Sequence, residues 1–201
     1  MTGDVTVVAG PSAVGKGTLV AEIHRRYPGV WLSVSVTTRA ARPGEINGIH
    51  YHFISDDTFD RLVETHGLLE WATYGNARYG TPAAPVREAI ARGQKAILEI
   101  DVQGARQIRA SMPGARFVFI APPSWDALEA RLRGRGTETA GQIDARLRTA
   151  AIEMDEQGEF DHVVVNDEVE RAVLELVDLM GLRGADGPSS GSFEPRESHI
   201  S

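Results

Sequence analysis

Val5-Thr6-Val7-Val8-Ala9-Gly10-Pro11-Ser12-Ala13-Val14-Gly15-Lys16-Gly17-Thr18 is the stretch of the chain that decides the fold. A β-rich run ends at Gly10, a loop of small residues carries Lys16, and the residues after Thr18 predict a helix. Such a strand-loop-helix junction directs backbone N–H groups and the positive end of the helix to one place, which suits a phosphate group. A lysine at this position meets the β- and γ-phosphates of a nucleotide as a point charge. The alternative is an ordinary glycine-rich turn with an exposed lysine.

The hydroxyl residue of this loop is displaced by one position. Loops of this kind usually have Ser or Thr directly after the lysine, whereas here Gly17 precedes Thr18. The cradle of N–H groups does not depend on that hydroxyl, but a contact between the hydroxyl and a magnesium ion does. The predicted nucleotide-binding residues of the loop are Gly10, Pro11, Ser12, Ala13, Val14, Gly15, Lys16, Gly17 and Thr18.

The composition indicates one globular, acidic domain. With 201 residues, of which 42% are hydrophobic, the chain is long enough to bury a core. Its net charge of −7 argues against a surface dedicated to nucleic acid or acidic lipid, because such a surface must be basic. The absence of cysteine excludes disulfides and thiolate metal sites. No export signal and no apolar run of about 18 residues is present, so we expect a cytoplasmic protein with no membrane partner.

Strands and helices alternate at both ends of the chain, while the middle is richer in strands. This pattern predicts a parallel sheet wrapped by helices, with an inserted α+β module. The predicted strands are 5–9, 31–37, 51–54, 68–74, 96–101, 117–120 and 162–165, and a turn at 76–80 leads into a helix at 83–92. From Arg183 onward Gly, Ser and Pro dominate, which predicts a disordered tail.

Two acids end the apolar run that starts at Ala96. Glu99 and Asp101 are two residues apart, so on one strand they share a face. Ligands of parallel sheets bind beyond the carboxyl ends of the strands, so we expect these acids to converge with the loop after Gly10 and with the loop that starts at Thr37. The alternative is that the acids merely mark the end of a strand.

Further motifs follow the first one in order along residues 5–180. They are Ser35-Val36-Thr37-Thr38-Arg39-Ala40-Ala41-Arg42-Pro43-Gly44-Glu45, Asn47-Gly48 with Tyr51, Leu69-Glu70-Trp71-Ala72, Tyr79-Gly80-Thr81, Glu99-Ile100-Asp101-Val102-Gln103-Gly104, Arg133-Gly134-Arg135-Gly136-Thr137-Glu138-Thr139 and Val165-Asn166-Asp167. Together with the first loop they resemble the guanylate kinase family, whose members move the γ-phosphoryl group of ATP onto GMP. One departure is Glu99, where the family usually has Asp.

The resemblance implies an α/β fold with a parallel-sheet core of the P-loop NTPase type, wrapped by helices, with an inserted α+β GMP-binding module and a short lid. The implied division is core at 1–36, 94–132 and 147–182, GMP-binding module at 37–93, lid at 133–146 and disordered tail at 183–201. The implied substrates are GMP, with dGMP, and ATP as donor with Mg²⁺. We expect a monomer or a weak homo-oligomer that binds no nucleic acid.

The resemblance also assigns the acceptor site. Its implied residues are Ser35, Arg39, Arg42, Tyr51, Glu70, Tyr79, Thr81 and Glu99, and we expect Asp101 to join them. Arg39 and Arg42 can each fork onto the GMP phosphate. Glu70 and Glu99 can accept hydrogen bonds from guanine, which presents N1–H and a 2-amino group as donors. Adenine would leave carboxylate oxygens unpaired, so specificity has a repulsive component.

The donor side is assigned in the same way. The implied catalytic residues are Lys16, Arg39, Arg42, Arg135 and Arg146, of which Arg135 and Arg146 resemble the lid arginines of the family. Asn166 resembles a residue on the adenine side. No side chain is predicted as a certain direct metal ligand; Thr18 and Asp101 are candidates to face Mg²⁺ through water. Without the resemblance, Arg131, Arg135 and Arg146 would be ordinary exposed charges.

Two other functions remain open at this point. One is a phosphotransferase of the same architecture that acts on another phosphorylated acceptor, such as a ribose bisphosphate. Glu70 and Glu99, which can recognise guanine, argue against it. The other is a catalytically silent scaffold that binds peptides or phosphopeptides in the same groove. The intact Gly15-Lys16 pair and the lid arginines argue against that.

Overall fold

The central sheet is built around β1 (Val5–Ala9) in a computed structural model that describes residues 5–134 and 140–183. Its strand order is β2 (Trp31–Leu32), β7 (Ala96–Glu99), β1, β8 (Arg116–Ala121) and β9 (His162–Val165), and all pairs are parallel. All five residues of β1 are buried, as expected for a strand covered on both faces. The predicted fold class is confirmed.

Seven helices lie within the described residues. They are α1 (Lys16–Arg26), α2 (Asp56–Glu64), α3 (Ala83–Ala91), α4 (Val102–Ser111), α5 (Trp125–Arg133), α6 (Ala140–Asp155) and α7 (Val169–Leu179), and a 3-10 turn follows α6 at Glu156–Glu159. Ser55 begins α2 as its N-cap, because its hydroxyl accepts the Thr58 N–H. None of these helices is long and apolar enough to cross a membrane.

The two faces of the central sheet carry separate cores. Val8 packs on one face with Leu19 of α1 and Leu176 of α7. Val7 packs on the other face with Ile108 of α4. Because successive side chains of a strand point to opposite faces, the apolar run of β1 supplies both cores at once.

A second sheet of four strands forms a separate layer. Its order is β4 (His52–Phe53), β3 (Val36–Thr37), β6 (Ala77–Pro82) and β5 (Leu68–Tyr74). The predicted single strand 31–37 is wrong, because β2 belongs to the first sheet and β3 to the second. An alternating pattern shows which residues are buried but not which strand they pair with. The chain therefore crosses between the sheets at 33–35, where Ser35 lies.

The predicted turn at 76–80 is also wrong, because β6 occupies most of it. Gly75-Asn76 forms a two-residue connection between β5 and β6, with Tyr74 paired to Ala77. Gly80 and Pro82 are uncommon within strands and favoured the turn in the sequence. In the structure, a Cβ at Gly80 would lie 2.9 Å from the Glu70 carbonyl oxygen, so this glycine permits a close approach of two strands.

The Gln107 side chain links the second sheet to the core by hydrogen-bonding to the strand backbone, as a neighbouring strand would. Gln107 of α4 accepts the Trp71 N–H through Oε1 at 3.1 Å and donates through Nε2 to the Trp71 carbonyl at 2.8 Å. Trp71 lies on β5, so both backbone groups of one strand residue are satisfied by one amide. The carboxyl end of β1 thereby faces the second sheet across a cleft. The predicted lid residues 135–139 and nearly all of the predicted tail, 184–201, lie outside the described residues.

The junction between β1 and the loop predicts that one methyl group added at Gly10 destabilises the folded protein. Gly10 has φ of 142°, and a Cβ there would lie 2.4 Å from the Ile120 carbonyl oxygen of β8. We expect Gly10→Ala to lower the free energy of unfolding by about 2 kcal/mol or more. Gly29→Ala, where a Cβ meets nothing within 4 Å, should change it by less than about 0.5 kcal/mol. Urea unfolding measures both, and equal stabilities would contradict this account.

Candidate active site

One cavity of about 750 Å³ lies beyond the carboxyl end of β1, between the two sheets and α6. It brings together most of the residues predicted from the sequence. Those that line it are Gly10, Ser12, Ala13, Gly15, Lys16, Gly17, Thr18, Ser35, Arg39, Arg42, Tyr51, Glu70, Tyr79, Glu99, Asp101 and Arg146. Four other predicted residues lie in the described part of the chain but not on the cavity wall, namely Pro11, Val14, Thr81 and Asn166. The predicted Arg135 lies outside the described residues.

The loop between β1 and α1 forms one end of the cavity. Gly15, with φ of 100°, is the N-cap of α1, so the first N–H groups of the helix open toward this end. The Lys16 Nζ donates to the Gly10 carbonyl at 2.6 Å and to the Pro11 carbonyl at 3.1 Å, which holds the ammonium group across the loop. This arrangement concentrates N–H donors and positive charge at one point.

The position of Gly17 has a structural consequence at the neighbouring strand. A Cβ at Gly17 would lie 3.6 Å from both carboxylate oxygens of Glu99, which ends β7. The space beside the lysine is therefore bordered by a carboxylate instead of a hydroxyl. Thr18 is exposed and lines the cavity one residue further on, so its contact with a phosphate stays a prediction.

The loop after β3 provides a pair of arginines at the other end. Arg39 forms two parallel hydrogen bonds to the Glu45 carboxylate, each of 2.6 Å, and its guanidinium lies 5.0 Å from the centre of the Tyr51 ring. The Arg39 guanidinium holds the pKa of Glu45 at about 2. Glu45 also accepts the Arg42 N–H at 2.7 Å. Glu45 thus orients the Arg39 side chain and fixes the backbone at Arg42, a role that the sequence analysis did not predict.

Glu70 is a buried carboxyl group in the wall of the cavity, with 4% of its surface exposed. The Thr81 hydroxyl donates to its Oε1 at 2.7 Å, and burial raises its pKa to about 7. Thr81 itself is fully buried and acts on the cavity through Glu70. A Cβ at Gly104 would lie 2.6 Å from the Glu70 Oε2, so the backbone of α4 packs directly on this carboxylate.

Glu99 and Asp101 reach the same cavity, but the predicted reason is wrong. The strand β7 ends at Glu99, whereas Asp101 is the N-cap of α4 and accepts the Gly104 N–H at 2.7 Å. The two acids therefore do not share a face of one strand. Apolar residues favour a longer strand, but the capping bond of Asp101 ends it. Burial raises the pKa of both carboxyl groups, and the charge of Lys16 opposes this effect.

The helix α6 forms the third wall of the cavity. It carries the predicted Arg146 and also Glu153, which the sequence analysis did not predict. Arg146 donates from Nη1 to the Ser12 hydroxyl at 3.3 Å. Glu153, seven residues later on the same helix face, is buried and also lines the cavity. Burial raises the pKa of Glu153 to about 7, while Lys16 lowers it. The spacing from Arg146 is the only sequence feature that could have identified Glu153.

Two residues contact the loop from its outer side. Asn166, predicted to bind the nucleotide, is 4% exposed and donates from Nδ2 to the Val14 carbonyl at 2.8 Å. Arg131, which resembles an ordinary exposed charge in the sequence, donates to the same carbonyl at 3.1 Å. These contacts depend on β9 and α5 lying beside the loop, and the sequence contains no indication of them.

The fold and the cavity define a P-loop nucleotide-binding protein, in which one cavity is lined by the loop with Lys16 and also by Arg39, Arg42 and the buried Glu70. A family model described as guanylate kinase matches residues 2–182. The chain belongs to the guanylate kinase family.

Individual relatives agree with this assignment. The chain is 55% identical over 182 residues to a guanylate kinase of Leifsonia xyli, which covers 90% of this chain and 72% of the relative. It is 54% identical to a guanylate kinase of Synechococcus, covering 88% of this chain and 93% of the relative. The crystal structure of guanylate kinase from Anaplasma phagocytophilum superimposes with a TM-score of 0.74 at 28% identity, covering 90% of this chain and 86% of that structure. The predicted family is confirmed.

The buried carboxyl group of Glu153 predicts how stability depends on pH. A glutamate that titrates near 4.5 in the unfolded chain and near 7 in the folded protein leaves the native state with more bound protons between these values. The free energy of unfolding therefore decreases as the pH rises from 5 to 7. We expect Glu153→Gln to remove about 2 to 3 kcal/mol of that decrease.

Urea unfolding at a series of pH values measures this effect. The matched control is Glu88→Gln, because Glu88 is an exposed residue of α3, and it should leave the pH dependence as it is in the wild type. If Glu153→Gln and the control show the same dependence of unfolding free energy on pH, burial does not disfavour the ionised form of the Glu153 carboxyl group.

Proposed function

We propose that the chain transfers the γ-phosphoryl group of ATP to GMP or dGMP, giving ADP and GDP or dGDP, by direct in-line transfer. The observation that carries the proposal is that one cavity is lined both by the phosphate loop with Lys16 and by the buried carboxyl group of Glu70. The first feature suits a nucleoside triphosphate and the second suits the base of an acceptor nucleotide. Membership in the guanylate kinase family supports both assignments.

Guanine is the base that suits the carboxyl groups. Its N1–H and 2-amino group are donors that an ionised Glu70 can accept side by side, with Glu99 and Ser35 nearby on the cavity wall. Thr81 holds the orientation of the Glu70 carboxylate through its hydroxyl. Adenine has an acceptor at N1 and no 2-amino group, so it would leave buried carboxylate oxygens without a partner.

The acceptor phosphate is proposed to bind at the arginine pair. Arg42 is exposed on the cavity wall, and Arg39 is held in place by Glu45 against the Tyr51 ring. Tyr51 and Tyr79 lie at the same end and can donate hydroxyl hydrogen bonds. A guanidinium that is already oriented loses less conformational entropy when it binds a phosphate.

The transfer itself needs alignment and charge neutralisation more than acid-base catalysis. The GMP phosphate has a second pKa near 6, roughly as phosphorylated side chains do, so it is largely a dianion at pH 7 and needs no general base. Its oxygen attacks the γ-phosphorus, the bond to the bridging β-oxygen breaks, and ADP leaves with that electron pair. We propose that the negative charge of the phosphates during this step is offset by Lys16, the loop N–H groups, Arg146 and Arg135.

The oxygen donors around the loop suit a magnesium ion. Thr18 and Asp101 line the cavity and are proposed to face Mg²⁺ through water, with nucleotide oxygens as its other ligands. When bound, Mg²⁺ would neutralise phosphate charge and orient the γ-phosphate. Within the described residues no group of three His, Cys, Asp or Glu side chains is placed to hold a metal by itself.

A panel of acceptors tests the proposal. We expect ADP formation from ATP and Mg²⁺ with GMP and dGMP, and at most a background rate with AMP, with ribose bisphosphate or without acceptor. A coupled assay for ADP measures each rate. Turnover with AMP but not GMP would refute the proposed specificity, and no turnover with any acceptor would favour the silent scaffold.

The lysine of the loop tests the division of roles within the cavity. Lys16→Met should reduce kcat by at least about a hundredfold, because the charge that meets the transferring phosphate is lost. GMP binding, measured by calorimetry, should change by less than about threefold, because Lys16 belongs to the loop after β1, whereas Glu70, Arg39 and Arg42, which are proposed to hold most of GMP, lie on β5 and in the loop after β3. The control is Lys95→Met, which alters the only other lysine and lies outside the cavity wall. Impaired GMP binding with normal turnover would contradict these roles.

A further inference from the structure

The backbone carbonyl of Val14, in the phosphate loop, accepts hydrogen bonds from two side chains. One comes from Asn166 Nδ2 at 2.8 Å and the other from Arg131 Nη1 at 3.1 Å. Val14 is fully buried, and neither donor residue lines the cavity. The geometry points to Arg131 and Asn166 as positioning residues. They orient the phosphate loop for the donor nucleotide by contacting it on the side away from the cavity. This inference rests on the proposed function, because it concerns the ATP subsite of that cavity.

The planarity of the peptide bond transmits this orientation. In a trans peptide unit the C=O and the N–H point in opposite directions. When Arg131 and Asn166 hold the Val14 carbonyl on the outer side, the N–H of Gly15 must point toward the inner side, where Gly15 lines the cavity. That N–H belongs to the group of donors at the start of α1 that suits a phosphate. A carbonyl turned inward would instead repel the phosphate.

The loop needs such support because its own conformation is strained. Ala13 has φ of 64° and Gly15 has φ of 100°, on either side of Val14. A positive φ at a residue with a Cβ costs free energy and persists only where the surroundings hold it. Within the loop, the turn from the Val14 N–H to the Pro11 carbonyl is long, at 3.4 Å. The contacts to the Val14 carbonyl are shorter and come from outside the loop.

Both donors are themselves fixed by the core. The Asn166 N–H donates to the Ala121 carbonyl at 2.8 Å, which continues the pairing of β9 with β8. Arg131 of α5 uses its second nitrogen, Nη2, on the Asn166 carbonyl at 2.9 Å. Asn166 and Arg131 thus contact each other as well as Val14. A Cβ at Gly15 would lie 2.4 Å from Asn166 Nδ2, so glycine is required for the amide to reach the loop.

The experiment compares Asn166→Ala and Arg131→Met with the wild type and with Arg171→Met. Arg171 is a matched control because it is an exposed arginine near Asn166 that pairs with Asp167. Binding of ATP with Mg²⁺ is measured by calorimetry without GMP, and kcat and both KM values are then measured with GMP. The amide resonance of Gly15 is followed by NMR in glycine-labelled protein as ATP is added.

We expect each of the two variants to weaken ATP binding by about tenfold and to reduce the shift of the Gly15 resonance. The KM for GMP should stay within about twofold of the wild type. Arg131→Lys, which keeps the charge and can still reach one acceptor, should recover part of the loss. The control should bind ATP as the wild type does.

Unchanged ATP affinity in Asn166→Ala and Arg131→Met, in protein with a native circular dichroism spectrum, would overturn the inference. Equal losses in ATP and GMP affinity would also overturn it, because they indicate a general loss of structure. If Asn166→Ala does not fold, Arg131→Lys and Arg131→Met decide the outcome alone. Because ATP binding is measured without acceptor, a wild type that binds ATP but does not phosphorylate GMP refutes the proposed function and leaves this test intact.

Discussion

The carbonyl of Val14 must be turned away from the cavity, and the arrangement of the core elements around β1 meets that requirement. Backbone N–H groups can face a phosphate only if the carbonyls of the same peptide units find donors elsewhere. The order of strands puts β8 and β9 on one side of β1, and this brings Asn166 and α5 to the outer side of the loop. On the other side of β1, strand β7 brings Glu99 beside Gly17.

The cavity combines a loop that suits phosphate with four acids, of which Glu70 and Glu153 are buried and Glu99 and Asp101 are half-buried. Glu70, Glu99, Asp101 and Glu153 line it, and burial raises the pKa of each carboxyl group. Lys16 opposes this effect at three of them, Glu99, Asp101 and Glu153. At Glu70 the opposing group is the Thr81 hydroxyl, which donates to its Oε1. The acids also influence one another, because the charge of Asp101 raises the pKa of Glu70 and of Glu153, while Lys16 and the Thr81 hydroxyl each offset part of the increase.

Much of the architecture was predictable because local patterns and the overall fold agree. Strand β5 at 68–74 and strand β9 at 162–165 match the predicted limits, and Ser55 and Ser124 accept capping hydrogen bonds at the starts of α2 and α5, as is typical of serine at that position. The errors occur where a residue has two possible partners. Residues 31–37 alternate like one strand but change sheets, and Asp101 continues an apolar run but caps a helix. For residues 31–37 the competing strands lie far away in the chain, so the local pattern cannot show that the chain changes sheets. For Asp101 the capping partner, the Gly104 N–H, is only three residues away, but the apolar run before it favours a longer strand.

The sequence by itself determined the class of the protein, because the phosphate loop and the arginine motif each act through local geometry and appear as contiguous residues. Only the tertiary structure decided how those parts are held. Arg131 and Asn166 meet at Val14 from positions 117 and 152 residues away, and Glu153 of α6 comes close enough to the loop for the charge of Lys16 to lower its pKa. Such contacts depend on how whole helices and strands pack together. No periodic pattern in the sequence therefore identifies the residues that make them.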